Sequence, residues 1–275
     1  MTTNSARPQL HYSALEMLWK CGEMFYQRYV MNRKVAPTIA LHVGRGVDEA
    51  ANLNLNHKIE KQELLPVEQV LDVARDTVMQ EIEQQGITLT AEETDEKTAK
   101  ANAVDKAVRL TKAHATLLAP ILQPKRVQAK WSLEIPGFPF DVVGTRDLDE
   151  VNDTIRDLKT SKRSANKDTA DRSDQLTTYA LSKYVIEAVS LPVTVCIDTI
   201  ADLKKETKVQ TLKSERDKSD FQVIVNRIEN AATVLEKGAF TPARESDWWC
   251  SLTYCGYAAN CKYFRKPKSV FIEGD

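Results

Sequence analysis

The sequence predicts an α/β protein: a mixed central sheet flanked by helices, a helical N-terminal extension ahead of it, and a cysteine-bearing segment behind. Three observations carry this expectation. Apolar residues recur at helical spacing up to about Leu118, residues 127–160 break into short β-rich runs, and helical and extended stretches then alternate. The expected division is residues 1–120 as a helical part integral to the core, 121–240 as the core itself, and 241–275 as the cysteine segment.

The elements follow in order. Ser13 is a predicted N-cap, with Glu16 completing a capping box ahead of Leu18, Phe25 and Tyr29. A second helix is expected from about Val43 through Ile59. A third follows Pro66, in the first turn, with Val70, Val73, Ala74, Val78 and Ile82 on one face and Gly86 at its end. A fourth, from about Ala91 to Leu118, aligns Ala99, Ala103, Ala107, Leu110 and Leu117; His114 falls on that stripe and reads as a core-edge residue. Residues 127–135, 139–147 and 154–160, separated by Pro136-Gly137 and Asn152-Asp153, predict an antiparallel meander. A helix from about Asp171 to Ala188, strands at 193–200 and 207–212, and a helix at 214–237 complete the core.

Composition narrows the class. Hydrophobic residues make up 42% and charged residues 28% of 275 residues, enough to bury a core. No apolar run approaches the ~20 residues of a membrane span, and the N-terminus lacks a signal-peptide core, so a cytoplasmic protein without membrane association is expected. The net charge of −1 means that contact with a polyanion must rest on local patches, and Lys159, Lys162, Arg163, Lys167 and Arg172 form one.

The chemistry concentrates in the meander. Asp147 is expected to end its second strand, and Asp157 and Lys159 lie two apart in the third, on one face. A hairpin through Leu148–Asp153 would bring Asp147 beside Asp157. Two carboxylates that close need a cation, because each raises the other's pKa. Hard oxygen ligands suit Mg²⁺ or Mn²⁺, which polarise a phosphate oxygen and acidify water, while the lysine offsets developing charge.

GTRDLDE followed by IRDLKTSK resembles the PD-(D/E)xK nuclease superfamily, above all its RecB-type exonuclease branch. The resemblance implies a restriction-endonuclease-like core, metal ligation by Asp147 and Asp157, and a catalytic role for Lys159. Gln175-Leu-Thr-Thr-Tyr179 matches the branch's Gln-x-x-x-Tyr motif on the following helix, four residues apart and so on one face. The branch's Gly-x-x-x-His motif appears altered: Gly44 is followed by Asp48, a carboxylate where a histidine ligand is expected, so Asp48 is the third metal candidate. His42 is out of spacing and reads as structural, and Glu134 is an auxiliary acid candidate.

Cys250, Cys255 and Cys261 crowd an aromatic segment, and clustered thiols in a reducing compartment point to a metal or cluster rather than disulfides. Cys21 could supply a fourth ligand. An upstream cysteine with three downstream is the arrangement of the branch that carries an iron–sulfur cluster, so the resemblance implies a [4Fe–4S] group on Cys21, Cys250, Cys255 and Cys261, with structural Zn²⁺ as the rival. Cys196 reads as a core residue. The implied activity is metal-dependent hydrolysis of DNA, exonucleolytic on ends or single strands, in recombination, repair or phage DNA metabolism, with a recombination or replication protein as a conceivable partner. The competing reading is a nuclease fold with a reduced site that binds DNA ends or a partner. No GxxxxGK[ST] loop is present.

Overall fold

The structure, a computed structural model, describes residues 7–89, 93 and 95–265. Six strands form one sheet. β1 (Gln9–His11) precedes the helical region. β2 (Pro124–Leu133), β3 (Asp141–Glu150) and β4 (Ile155–Ser161) make the expected meander. β2 runs antiparallel to β3 with Trp131 opposite Gly144, and β3 meets β4 antiparallel at Leu148–Arg156 and Asp149–Ile155. β4 then pairs in parallel with β5 (Val193–Asp202), and β6 (Thr207–Arg216) runs antiparallel to β5. The sheet is therefore mixed, and β4 is an inner strand.

β1 has no counterpart in the sequence reading, because three residues are too few to display a strand period. It pairs in parallel with β3 at Asp141–Val143. β1 and β4 thus occupy the same edge of β3 at different heights. Between them, Gly144–Asp147 have no strand alongside on that edge among the described residues.

Helices cover both faces of the sheet. α1 (Tyr12–Lys20), α6 (Asp174–Glu187) and α7 (Lys218–Lys237) bury Leu15, Leu176 and Ile224 against Val142, Ile155, Val195 and Ile197. A short α2 (Gly22–Phe25) runs on into a π-type turn at Tyr26–Val30. α3 (Ile39–Lys61), α4 (Val67–Gln85) and α5 (Glu96–Ala113) form a second cluster that packs Val43, Val78 and Leu110 against Ile200. Fully burying such an apolar side chain contributes roughly 1.5–3 kcal/mol, and a sheet covered on both faces buries β5 almost continuously, Asp198 and Thr199 included. α3 and α4 lie close: a Cβ on Gly46 would stand 2.5 Å from Val78 Cγ2.

Several boundaries moved. Ser13 does not cap α1; His11 holds the N-cap position without a side-chain bond, because the chain leaves β1 directly into the helix. Pro66 is the N-cap residue of α4 rather than part of its first turn. α5 starts at Glu96, with Asp95 accepting from Thr98 N at 2.8 Å, whereas residues 90–92 and 94 lie outside the described residues. Ser173 caps α6, which therefore starts later than Asp171. β6 runs on to Arg216, and a reciprocal cap by Asp217 and Asp220 starts α7 at Lys218. β3 continues beyond Asp147 to Glu150, so Asp147 lies inside the strand, not at its end.

Candidate functional site

The unpaired stretch of β3 is where the acids meet. Extending the β3–β4 register from Leu148–Arg156 sets Asp147 level with Asp157. The strands part there, and Asp147 Oδ2 accepts from the Leu158 backbone N at 3.0 Å, so a side chain completes the ladder. Asp157 is buried, and Lys159, two residues on and on the same face, places Nζ 2.8 Å from Asp157 Oδ2. Apart from its charged neighbours Lys159 and Asp147, neither Asp157 oxygen has a donor.

Asp48 arrives from α3. Its Oδ2 is reached by Asn52 Nδ2 at 3.3 Å and by Gln128 Nε2 at 3.4 Å. Gln128 has a left-handed backbone (φ 50°) at a break in the β2 ladder, and it also reaches Asn52 Oδ1 at 3.3 Å. Asp48, Asn52, His114, Asp147, Arg156 and Asp198 line a cavity of about 20 Å³, room for roughly one water.

The electrostatics of the three acids are those of carboxylates short of positive charge. Burial, and then Asp157 and Asp48, push Asp147 up to about 8. Burial, with Glu49 and Asp157 adding, pushes Asp48 up to about 6. Burial also raises Asp157 against the opposing pull of Lys159. The Lys159 side chain is 47% exposed, and Asp157 and Asp147 hold its ammonium above the ordinary lysine value. Three acids facing one lysine fit a divalent cation by charge and by donor type. No group of three or more His, Cys, Asp or Glu side chains stands ready-formed around an ion site among the described residues.

Gln175 and Tyr179 sit one turn apart on α6, with Gln175 Nε2 donating to Tyr179 Oη at 2.7 Å. Burial and the charges of Asp157 and Asp147 raise the Tyr179 phenol, which keeps it a neutral hydrogen-bond donor. Trp131 and Tyr12 pack edge-on against Tyr179, with centroids 6.0 and 6.3 Å away. Tyr12 and Glu16, one turn apart on α1, were not predicted for this site. Glu16 acts on Lys159 and Tyr179, and Asp157 acts on Tyr12. Their i, i+4 spacing is the one sequence signal that could have found them. Arg156 lies behind the acids, pairing with Glu150 at 2.6 Å and Asp198 at 3.0 Å.

The other expected residues fall as follows. Glu134 is exposed and paired to Arg7 at 2.5 Å, away from the acids. His42 is buried with Nε2 2.9 Å from Gly86 O, and His114 is buried and lowered to about 4 by burial. Cys196 is a core residue whose thiol burial pushes up to about 11. Lys162, Arg163, Lys167 and Arg172 are exposed on the loop after β4, and Arg172 is 2.9 Å from Asp168.

At the far end of α1, Cys21, Cys250, Cys255 and Cys261 line one small cavity. Cys21 Sγ accepts from Ala243 N at 3.3 Å, and Gly22 N donates to Thr241 O at 2.7 Å, a contact a Cβ would block. Burial raises the Cys250 and Cys255 thiols, and the neighbouring Cys21 and Cys261 add to it. Four sulfurs lining one cavity fit a soft metal or a cluster, whose charge would favour the thiolates.

No family profile and no curated protein matches the chain. Among solved structures, a candidate exonuclease from Eubacterium rectale is similar with a TM-score of 0.55 and 14% identity, over 95% of this chain and 91% of that one. A second structure, that of SSO0001, aligns over 92% and 96% at 11% identity, but its TM-score of 0.36 carries no weight. No helix among the described residues is long and apolar enough to cross a membrane. The chain has an α/β fold, a central mixed sheet flanked by helices, shared at low identity with the E. rectale protein.

Proposed function

We propose that the chain is a metal-dependent DNA nuclease of the RecB-type exonuclease kind, acting on ends or single strands. The observation that carries this is that Asp48 and Asp147 line one cavity while Asp157, level with Asp147 on the neighbouring strand, holds Lys159 Nζ at 2.8 Å. Asp48, Asp147 and Asp157 would hold Mg²⁺ or Mn²⁺, with Asp48 in place of the histidine of related motifs. A divalent cation supplies Lewis-acid polarisation of the phosphate and acidifies water. The protein's own share is positional. Lys159 offsets charge on the scissile phosphate, Gln175 orients the Tyr179 hydroxyl towards the same place, and the loop after β4 offers Lys162, Arg163 and Lys167 to the DNA backbone.

We assign Cys21, Cys250, Cys255 and Cys261 to a structural [4Fe–4S] cluster that ties the C-terminal segment to α1. A brown protein absorbing near ~400 nm supports iron; a colourless protein with stoichiometric zinc overturns that assignment in favour of Zn²⁺.

Incubating the anaerobically purified protein with labelled linear and circular DNA and Mn²⁺ tests the activity. The wild type should degrade linear DNA. Asp157→Asn, Asp147→Ala and Lys159→Ala should each lower the rate by at least ~10²-fold while preserving the fold. Wild-type protein that binds DNA and leaves it intact would favour the second reading, a reduced nuclease that recognises DNA ends or a partner. The aspartate at position 48 is what speaks for it.

A further inference from the structure

The C-terminal segment carries exposed rings that cysteine ligation does not explain. Trp248 is 65% and Tyr254 61% exposed, a large apolar investment in the surface. Trp248 packs edge-on against Trp249 and Tyr254, with centroids 5.6 and 4.9 Å apart, so the rings brace one another. Lys20 Nζ stands 5.6 Å from the Trp248 ring and 5.4 Å from the Trp249 ring. Beside them lies a cavity of about 450 Å³, whose wall includes Trp19, Lys20, Arg244 and Trp249. Asp247, on the same wall, accepts from Arg244 N at 3.0 Å.

α1 joins this surface to the acids. Tyr12 and Glu16 interact with the acid–lysine cluster, and Lys20 ends the same helix at the rings. At ~1.5 Å per residue, Tyr12 and Lys20 lie roughly 12 Å apart along the axis. That is about three stacked nucleotides at ~3.4 Å each.

We propose that Trp248, Tyr254 and Lys20 form a base-stacking platform for an unpaired DNA strand whose backbone follows α1 to the acid cluster. Every base presents a π-face, so exposed rings hold single strands with little sequence preference, and the ammonium of Lys20 meets the adjacent phosphate. The platform's role in feeding substrate rests on the nuclease reading; its affinity for single strands does not.

Fluorescence anisotropy of labelled oligothymidylate and of a blunt hairpin duplex, in EDTA with anaerobically purified protein, tests the platform. Trp248→Ala and Tyr254→Ala should each weaken oligothymidylate binding about 5- to 100-fold, leave duplex binding within about twofold, and leave the absorbance and melting temperature unchanged. Trp248→Phe should restore most of the affinity. Unchanged oligothymidylate binding in both alanine variants, an equal loss on both substrates, or no binding by the wild type overturns the platform. Cleavage by the wild type with any of those results leaves the nuclease reading standing alone. Ring-dependent binding without Mn²⁺-dependent cleavage leaves the platform standing and removes the nuclease.

Discussion

Asp147 is a carboxylate that the metal-free fold prefers to keep protonated. Its pKa rises from 3.8 to about 8, so between those values the folded state holds a proton that the unfolded chain has released. The resulting stability is fully present below pH ~4 and is lost as pH rises through ~8. Asp147→Asn removes this loss and can still accept from Leu158 N. In EDTA the variant should therefore melt a few degrees above wild type at pH 9 and level with it at pH 4, by differential scanning fluorimetry. At the proposed metal site, protons would compete with the ion for the carboxylate oxygens, so Mn²⁺ affinity should rise between pH ~6 and ~8, the values for Asp48 and Asp147, with proton release on binding. Affinity flat across that range would contradict the arrangement. Gly144 offers a second residue-scale test. A Cβ there would stand 2.4 Å from Trp131 Cζ2, and Trp131 packs on Tyr179. Gly144→Ala should cost about 1–3 kcal/mol in chemical denaturation and reduce activity through the displaced tyrosine. Spacing alone foretold that Asp157 and Lys159 share a face of β4 and that Gln175 and Tyr179 share a face of α6, and a hairpin return foretold Asp147 level with Asp157; the roles given to them came from the family resemblance. Gln128 was not legible, because its reach to Asp48 depends on a left-handed φ that no glycine or turn pair announces.

Among the elements, the long helices declared themselves by apolar period, and their true starts were set by neighbours. Asp95, Ser173 and Asp217 each cap with a side-chain bond to a nearby N–H. Ser13 had the residue type and lost, because β1 runs straight into α1. β1 itself was invisible: its identity as a strand comes from β3, 132 residues later, and not from its own three residues. The α3–α4 contact carries Asp48 to the sheet. Gly46→Val would drive a side chain into Val78 and the Ala74 carbonyl, 2.5 and 2.8 Å from the first added carbon. The helices must part, and the expected result is a loss of about 2 kcal/mol or more in urea melts. Mn²⁺ affinity should fall with it as Asp48 recedes, whereas Gly44→Ala, with only Thr160 Oγ1 at 3.5 Å, should be tolerated.

At the scale of the molecule, a mixed sheet flanked by helices was to be expected from alternating helical and extended runs, whereas the parallel pairings of β1 with β3 and of β4 with β5 were not, and cysteine placement pointed to the approach of the C-terminal segment to Cys21. Two contacts hold this closure: a backbone bond from Gly22 N to Thr241 O, which has no sequence signature, and a bond from Ala243 N to the Cys21 thiol. Cys21→Ser should leave the sheet intact and loosen residues 241–265, read as faster amide exchange there and loss of any 400 nm band. Uniform unfolding would instead make the cysteines part of the core's stability.

The bond between Cys21 and Ala243 spans 222 residues. On the ribosome, α1 leaves the exit tunnel long before the stretch that covers its far end has been translated, so that end must wait, exposed, for nearly the whole chain. Nascent polypeptides arrested short of Thr241 should therefore be proteolysed at Cys21–Val30, and release of the finished chain should end that sensitivity.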